Sequence, residues 1–190
     1  MSRALDRRLE ALIRRHLSTE EDEATARLCR ELRAAKNRGY LTRSELQKAC
    51  YWKSPRAIRH VRANTAWQVR AATARALRCR DDEGRIEALL RLKGVSVPMA
   101  SAVLTLVNPR RYGVIDIRVW QILHEHGAVT RNSEGVGLSA NNWRQFLAVI
   151  RHFARKLRVR ARDVERTLFD AHRARQRGRL YKTARPLKGR

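Results

Sequence analysis

Apolar residues along the chain recur three and four positions apart, and no stretch alternates strictly as a half-buried strand does. Leu5, Leu9, Leu12 and Ile13 share one face of a first helix. The following "STEEDE" offers Ser18 or Thr19 as N-cap and acids for the first turn of a second helix, which runs to about Ala35. "KNRGY" closes that helix with a glycine cap. The pattern then predicts a short helix over about 42–51, another opened by Pro55, and one over 64–79 with Asn64 as N-cap. "RDDEGRIEALLRL" is helical up to a glycine turn, Pro98 opens the next helix, and Asp116 begins one that runs to about His126. "TRNSEGVGLS" reads as a loop between that helix and two amphipathic ones, "SANNWRQFLAVIRHFARKL" and "RARDVERTLFDAHRAR". The expected fold class is all-α, with one domain over residues 1–172 and a basic tail over 173–190 that carries eight Lys/Arg and no acid.

Charge adds a partner to this picture. The 190 residues hold 43 Lys+Arg against 18 Asp+Glu, a formal net charge of +25, and only seven of the cations are lysine. Such an excess destabilises a compact monomer by self-repulsion unless a polyanion relieves it, and neutralising phosphates releases counterions. The excess is not even: residues 46–80 carry nine Lys/Arg and no acid, and between residues 88 and 133 the only acids are Asp116 and Glu125. Nucleic acid is the first candidate partner, and a monomer is expected. No window approaches the ~18 apolar residues of a membrane span, and "MSRALDRRLEALIRRHL" lacks an apolar signal-peptide core. That start is read as a packed helix with a solvated face rather than a membrane-surface helix. No membrane partner and a cytoplasmic, nucleoid-associated location are expected.

Cys29, Cys50 and Cys79 are odd in number and show no C-x-x-C spacing, so buried free thiols are expected rather than a metal or cluster cradle. His124 and His126 lie two apart on a helix and cannot share a face, which argues against a zinc site.

Helix, "LKGVSVP", helix is the shape of a helix-hairpin-helix element over about 82–108. A turn of this kind needs glycine where backbone must approach a phosphate closely, leaving amides at a helix N-terminus to donate. The same string fits an ordinary αα-turn with a glycine cap. From about Arg85 to His126 the sequence resembles the helix-hairpin-helix DNA glycosylase superfamily, which includes endonuclease III, the adenine-mismatch glycosylase and 8-oxoguanine glycosylase. The residues that carry the resemblance are Leu92, Gly94, Val95 and Ala100 in the hairpin and its second helix, then Val114, Ile115 and Asp116 where the next helix opens. "VIDIRVWQI" is most similar to the 8-oxoguanine branch. The resemblance covers roughly forty residues and implies a two-lobed helical bundle that acts on double-stranded DNA, with Asp116 as the catalytic aspartate. It departs from the family at Ser96, where a second glycine is usual, and at Pro98, where bifunctional members carry a Schiff-base lysine. It implies no iron–sulfur cluster, since no four-cysteine motif follows, and is compatible with a monovalent cation at the hairpin.

Breaking an N-glycosidic bond builds positive charge on deoxyribose, which a fixed carboxylate stabilises while it orients or deprotonates a water. The base must first be flipped into a pocket lined by aromatic or apolar groups. The expected pocket residues are Trp52, Tyr51, Trp120 and Tyr112, with Trp143 a further aromatic. DNA contacts are expected from Lys93, Gly94, Val95, Ser96, Arg118, Lys53 and Arg56. Two alternatives stay open in the residues. Asp116 is equally a ready N-cap, and "CYWKSPR" can be a partly buried Trp beside solvated cations instead of a stacking surface. Lys53 is itself an amine that could stand in for the missing hairpin lysine. The sequence thus points to a monofunctional DNA glycosylase without lyase activity. A non-enzymatic DNA-binding module is the alternative, and an RNA-binding helical protein is allowed by charge alone.

Overall fold

The computed structural model describes residues 3–178 and 180, and among these the chain is all α-helical. Ten helices follow in order: α1 (Arg3–His16), α2 (Glu23–Arg38), α3 (Arg43–Lys53), α4 (Ile58–Val61), α5 (Ala66–Arg78), α6 (Asp82–Leu90), α7 (Val97–Val107), α8 (Ile117–Glu125), α9 (Ala140–Leu157) and α10 (Ala161–Arg175). A single 3-10 turn at Pro55–Ala57 leads into α4.

Local chemistry starts most of these helices. Thr42, Thr65 and Ser139 form capping boxes with Glu45, Gln68 and Asn142, so side chains satisfy amides that the helix leaves unpaired. Two caps differ from expectation. Asp22, not Ser18 or Thr19, caps α2 by accepting from Thr25 N–H, and the carboxylate is the better partner for the positive end of a helix. Asn64 does not cap α5; Thr65 does. The expected tail also begins late, because α10 continues through Arg175; residues 179 and 181–190 lie outside the described residues.

α7 is the axis of the molecule. It is apolar all round, with ten of its eleven residues buried, and α2, α3, α6 and α9 pack against it. α8 lies on α10, and α5 on α6. One continuous core links Leu9 and Leu32 on the first two helices to Phe146, Phe153 and Leu168 on the last two. Asp82, at the first turn of α6, ties that helix to α9. It pairs with Arg151 and Arg111 and accepts from Tyr112 Oη at 3.1 Å. Burial alone would raise its carboxyl, but the Arg151 guanidinium holds it below the ordinary carboxylate range.

The α6–α7 turn is built from a distance. Buried Asn64 accepts from Lys93 N–H and donates to the Lys93 carbonyl, both at 2.9 Å, while Val95 N–H closes onto Leu92 O. Gly94 has φ +76, and a Cβ there would meet His60 Cβ at 2.8 Å and Val61 N at 2.9 Å. Glycine is therefore required by the left-handed backbone and by close packing on α4. The amides of Lys93 and Val95 are already used within the fold. Gly94→Ala should lower unfolding free energy by about 1–3 kcal/mol, read from urea denaturation, because both the backbone and the space oppose a side chain. An unchanged midpoint would show that α4 yields freely.

A candidate active-site cleft at the start of helix α8

Between Val107 and α8 the chain runs through a non-helical segment whose buried amides need partners. Val114 N–H donates to Glu165 Oε2 at 3.1 Å, and Ile115 N–H donates to Ser101 Oγ at 3.1 Å. Ser101 Oγ in turn donates to Pro98 O at 2.8 Å. Gly113 lets α10 approach, since a Cβ would sit 2.7 Å from Glu165 Cβ and 2.8 Å from Ile150 Cδ1. Side chains of α7 and α10 thus fix the strand-like backbone that delivers Asp116.

Asp116 does two things at once. Its Oδ1 accepts from Val119 N–H at 3.0 Å and caps α8. Its Oδ2 faces Lys53 Nζ at 3.6 Å, with the two side chains 18% and 20% exposed. Lys53 is the last residue of α3, and its neighbour Trp52 is anchored by Nε1 donating to Thr25 Oγ1 at 2.8 Å. Both groups line a cleft of about 480 Å³ walled by α3, α10 and the α1–α2 connection. Trp52 and Phe169 are its aromatic surfaces.

An ion-pair network underlies the cleft. Arg162 contacts Glu165 at 2.5 Å and Glu21 at 3.0 Å, and its guanidinium lies 5.4 Å from the Trp52 ring centroid. Arg166 adds a 3.2 Å contact to Glu21. Burial pushes the Glu165 carboxyl up, against the pull of the Arg162 guanidinium. Arg162, which burial alone would lower, is instead driven well above its ordinary range by the Glu165 and Glu21 charges. The network therefore holds a permanent cation behind Trp52.

The expected site residues separate into three groups. Asp116, Lys53 and Trp52 come together in the cleft. Tyr112 and Trp120, expected as pocket walls, are core residues instead. Tyr112 is buried, stacks with Trp143 and donates to Asp82, while Trp120 is fully buried with Nε1 donating to Asn132 O at 2.7 Å. The loop over residues 127–139 covers Trp120, Gly135 approaching its ring to within 3.2 Å of an added Cβ. Tyr51 is 46% exposed, accepts from Arg62 at 2.8 Å and stands outside the cleft lining.

Among the expected DNA contacts, Lys93, Ser96 and Arg56 are exposed, whereas Val95 is buried and belongs to the core. Gly94 is partly covered by α4. Arg118 is half-buried, 5.7 Å from the Phe169 ring centroid, and donates to Gln176. The sequence reading missed Phe169, Glu165, Arg162 and Thr25. A signal for Glu165 was present: it falls on the apolar face of α10 marked by Ala161 and Leu168, with Arg162 one turn before it. Trp67, 76% exposed in the first turn of α5, was also overlooked as a surface aromatic.

Among the described residues no group of three or more His, Cys, Asp or Glu is arranged to hold a metal ion, and all three cysteines are free. Among them, too, no helix is long and apolar enough to cross a membrane. No protein-family model matches the chain, and no curated protein or solved structure matches it either.

Proposed function

We propose that the protein is a DNA glycosylase that excises a damaged or modified base from duplex DNA. One observation carries the reading: in a chain of net charge +25, the Asp116 carboxylate lines a cleft that Trp52 and Phe169 share with several other acids, with one oxygen spent on the helix cap and the other facing Lys53. The cleft volume of about 480 Å³ falls in the range of small-molecule pockets, about 300–1,000 Å³. A nucleotide turned out of the duplex would place its base against Trp52 and Phe169 and its sugar beside Asp116. As the glycosidic bond lengthens, charge develops on the sugar ring. The capped carboxylate is oriented before that charge appears, so it stabilises the transition state without rearranging. Exposed Lys93, Ser96 and Arg56 supply phosphate contacts outside the cleft.

The second reading, a DNA-binding protein without catalysis, has the α8 cap in its favour, since Asp116 Oδ1 has a structural task already. Duplexes each carrying one defined lesion decide between them. Strand breaks after heating in alkali, at one lesion and not at undamaged pairs, are expected. Tight duplex binding with no excision at any lesion would leave only the binding reading, and preference for single-stranded RNA would displace both.

Affinity for undamaged duplex should fall steeply with salt, by about 0.9 log units per tenfold change in salt for each phosphate neutralised. Removing residues 179–190 takes away five Lys/Arg. That truncation should flatten the log–log slope by roughly 2–4 in a fluorescence titration while lesion preference persists. An unchanged slope would place the DNA contacts wholly on the helical body.

A further inference from the structure

We infer that the outward face of α5 is a second DNA surface, separate from the cleft, on which Trp67 stacks a base of an unpaired strand. The choice of DNA over RNA rests on the reading of the cleft proposed above; the stacking surface itself does not. Trp67 is 76% exposed, the most exposed large apolar side chain among the described residues. The other three tryptophans have places in the fold: Trp120 and Trp143 are buried, and Trp52 is bonded to Thr25.

The helix beneath Trp67 fixes its position. Thr65 and Gln68 form the capping box that starts α5, so the indole stands on the first turn of a regular helix rather than on a loop. Val69, Ala72, Thr73 and Ala76 turn inward. Ala66, Trp67, Arg70, Ala71 and Arg78 share the exposed side, along roughly 18 Å of helix. Alanines beside the ring keep this face low, which lets a flat ring lie on the indole. None of these residues lines the cleft. Asn64 instead ties the start of α5 to the turn that carries exposed Lys93.

Charge selects the occupant. Residues 46–80 hold nine Lys/Arg and no acid. Arg59, Arg62, Arg70, Arg75 and Arg78 are exposed, and among the described residues none of them pairs with a carboxylate. By contrast, Arg151, Arg160, Arg162 and Arg166 are all taken by acids. Arg70 lies 4.5 Å from the Tyr40 ring centroid, and Arg62 donates to Tyr51 Oη at 2.8 Å, so both are braced with their charge unspent. Trp67 also sits at the positive end of α5, which has no acid in its first turn. A second copy of this chain would bring the same cations to the face, so self-association is opposed. An aromatic ring among cations is how single strands are held with little regard to sequence. In a duplex, neighbouring bases already cover the faces that Trp67 would need.

The test titrates the full chain with a short oligothymidylate and, separately, with a blunt duplex of equal length. Wild-type tryptophan emission should be quenched by the oligothymidylate, and acrylamide should lose access to one indole. Trp67→Ala should weaken that binding by roughly 10-fold, the loss of one stacked base, while Trp67→Phe keeps most of the affinity. Arg70→Gln should flatten the log–log salt slope by about 0.7, one phosphate on a single strand. Both side chains are exposed, so thermal midpoints should stay at the wild-type value. Blunt duplex should bind Trp67→Ala as it binds wild type. Unchanged oligothymidylate affinity in Trp67→Ala, or an equal loss on duplex, overturns the proposal, and so does tighter binding to the matching RNA strand. A dimer seen in sedimentation and dissolved by Trp67→Ala overturns it too, by placing a second copy on the face. Lesion excision without Trp67-dependent binding removes this surface and leaves the glycosylase standing. Trp67-dependent binding with no excision at any lesion upholds the surface and removes the glycosylase.

Discussion

Asp116→Asn is expected to reduce excision by roughly 100-fold or more while leaving the fold nearly intact. Asparagine retains a side-chain oxygen that can accept from Val119 N–H, so the α8 cap survives at a cost well below the ~1 kcal/mol of removing it. The segment leading to it is held independently by Glu165 and Ser101, which the substitution does not touch. What disappears is the negative charge that faces Lys53 and that, in the proposed reaction, would stabilise a cationic sugar. Single-turnover excision on a lesion duplex, set beside a thermal melt, separates the two roles. A lowered melt with full activity per folded molecule would show that Asp116 serves the helix alone.

Arg162→Met should cost about 3–5 kcal/mol at neutral pH, the usual penalty for stranding a buried charge. The guanidinium is only 11% exposed, and its two carboxylate partners, Glu21 and Glu165, only 7% and 3%. Glu21 keeps Arg166, but Glu165 is left with only the Val114 amide. Its carboxyl, already pushed up by burial, then rises further above its unfolded value. A carboxyl raised in this way favours the fold fully below its unfolded pKa, and that contribution is lost as pH rises through the folded one. The variant should therefore lie nearer wild type in acid than at neutral pH, as read by urea denaturation at both. Adding Glu165→Gln should recover part of the loss. A loss under about 1 kcal/mol would mean that water reaches Glu165 freely.

The sequence by itself determined the all-helical class, the approximate span of the main helices, the basic excess and the position of Asp116 at a helix start. Those features follow from interactions within a few residues: helical apolar spacing, hydroxyl and carboxylate caps, glycine and proline at ends. Even there, competition between neighbouring caps decided the detail, as Asp22 over Ser18 and Thr19 shows. Only the tertiary structure decided what meets what. Trp120 sits one turn after Asp116 on the same helix, yet a loop and the core enclose it, while Trp52 from a much earlier helix walls the cleft. Asn64 looks like a cap and instead pins the Lys93 turn from the connection between α4 and α5. Lys53 meets Asp116 only because α3 packs on α7 and α10 on α8. Local bonding sets where a helix begins and ends. Which of its faces turns inward, and which distant side chain it then confronts, depends on how all the apolar stripes are buried together.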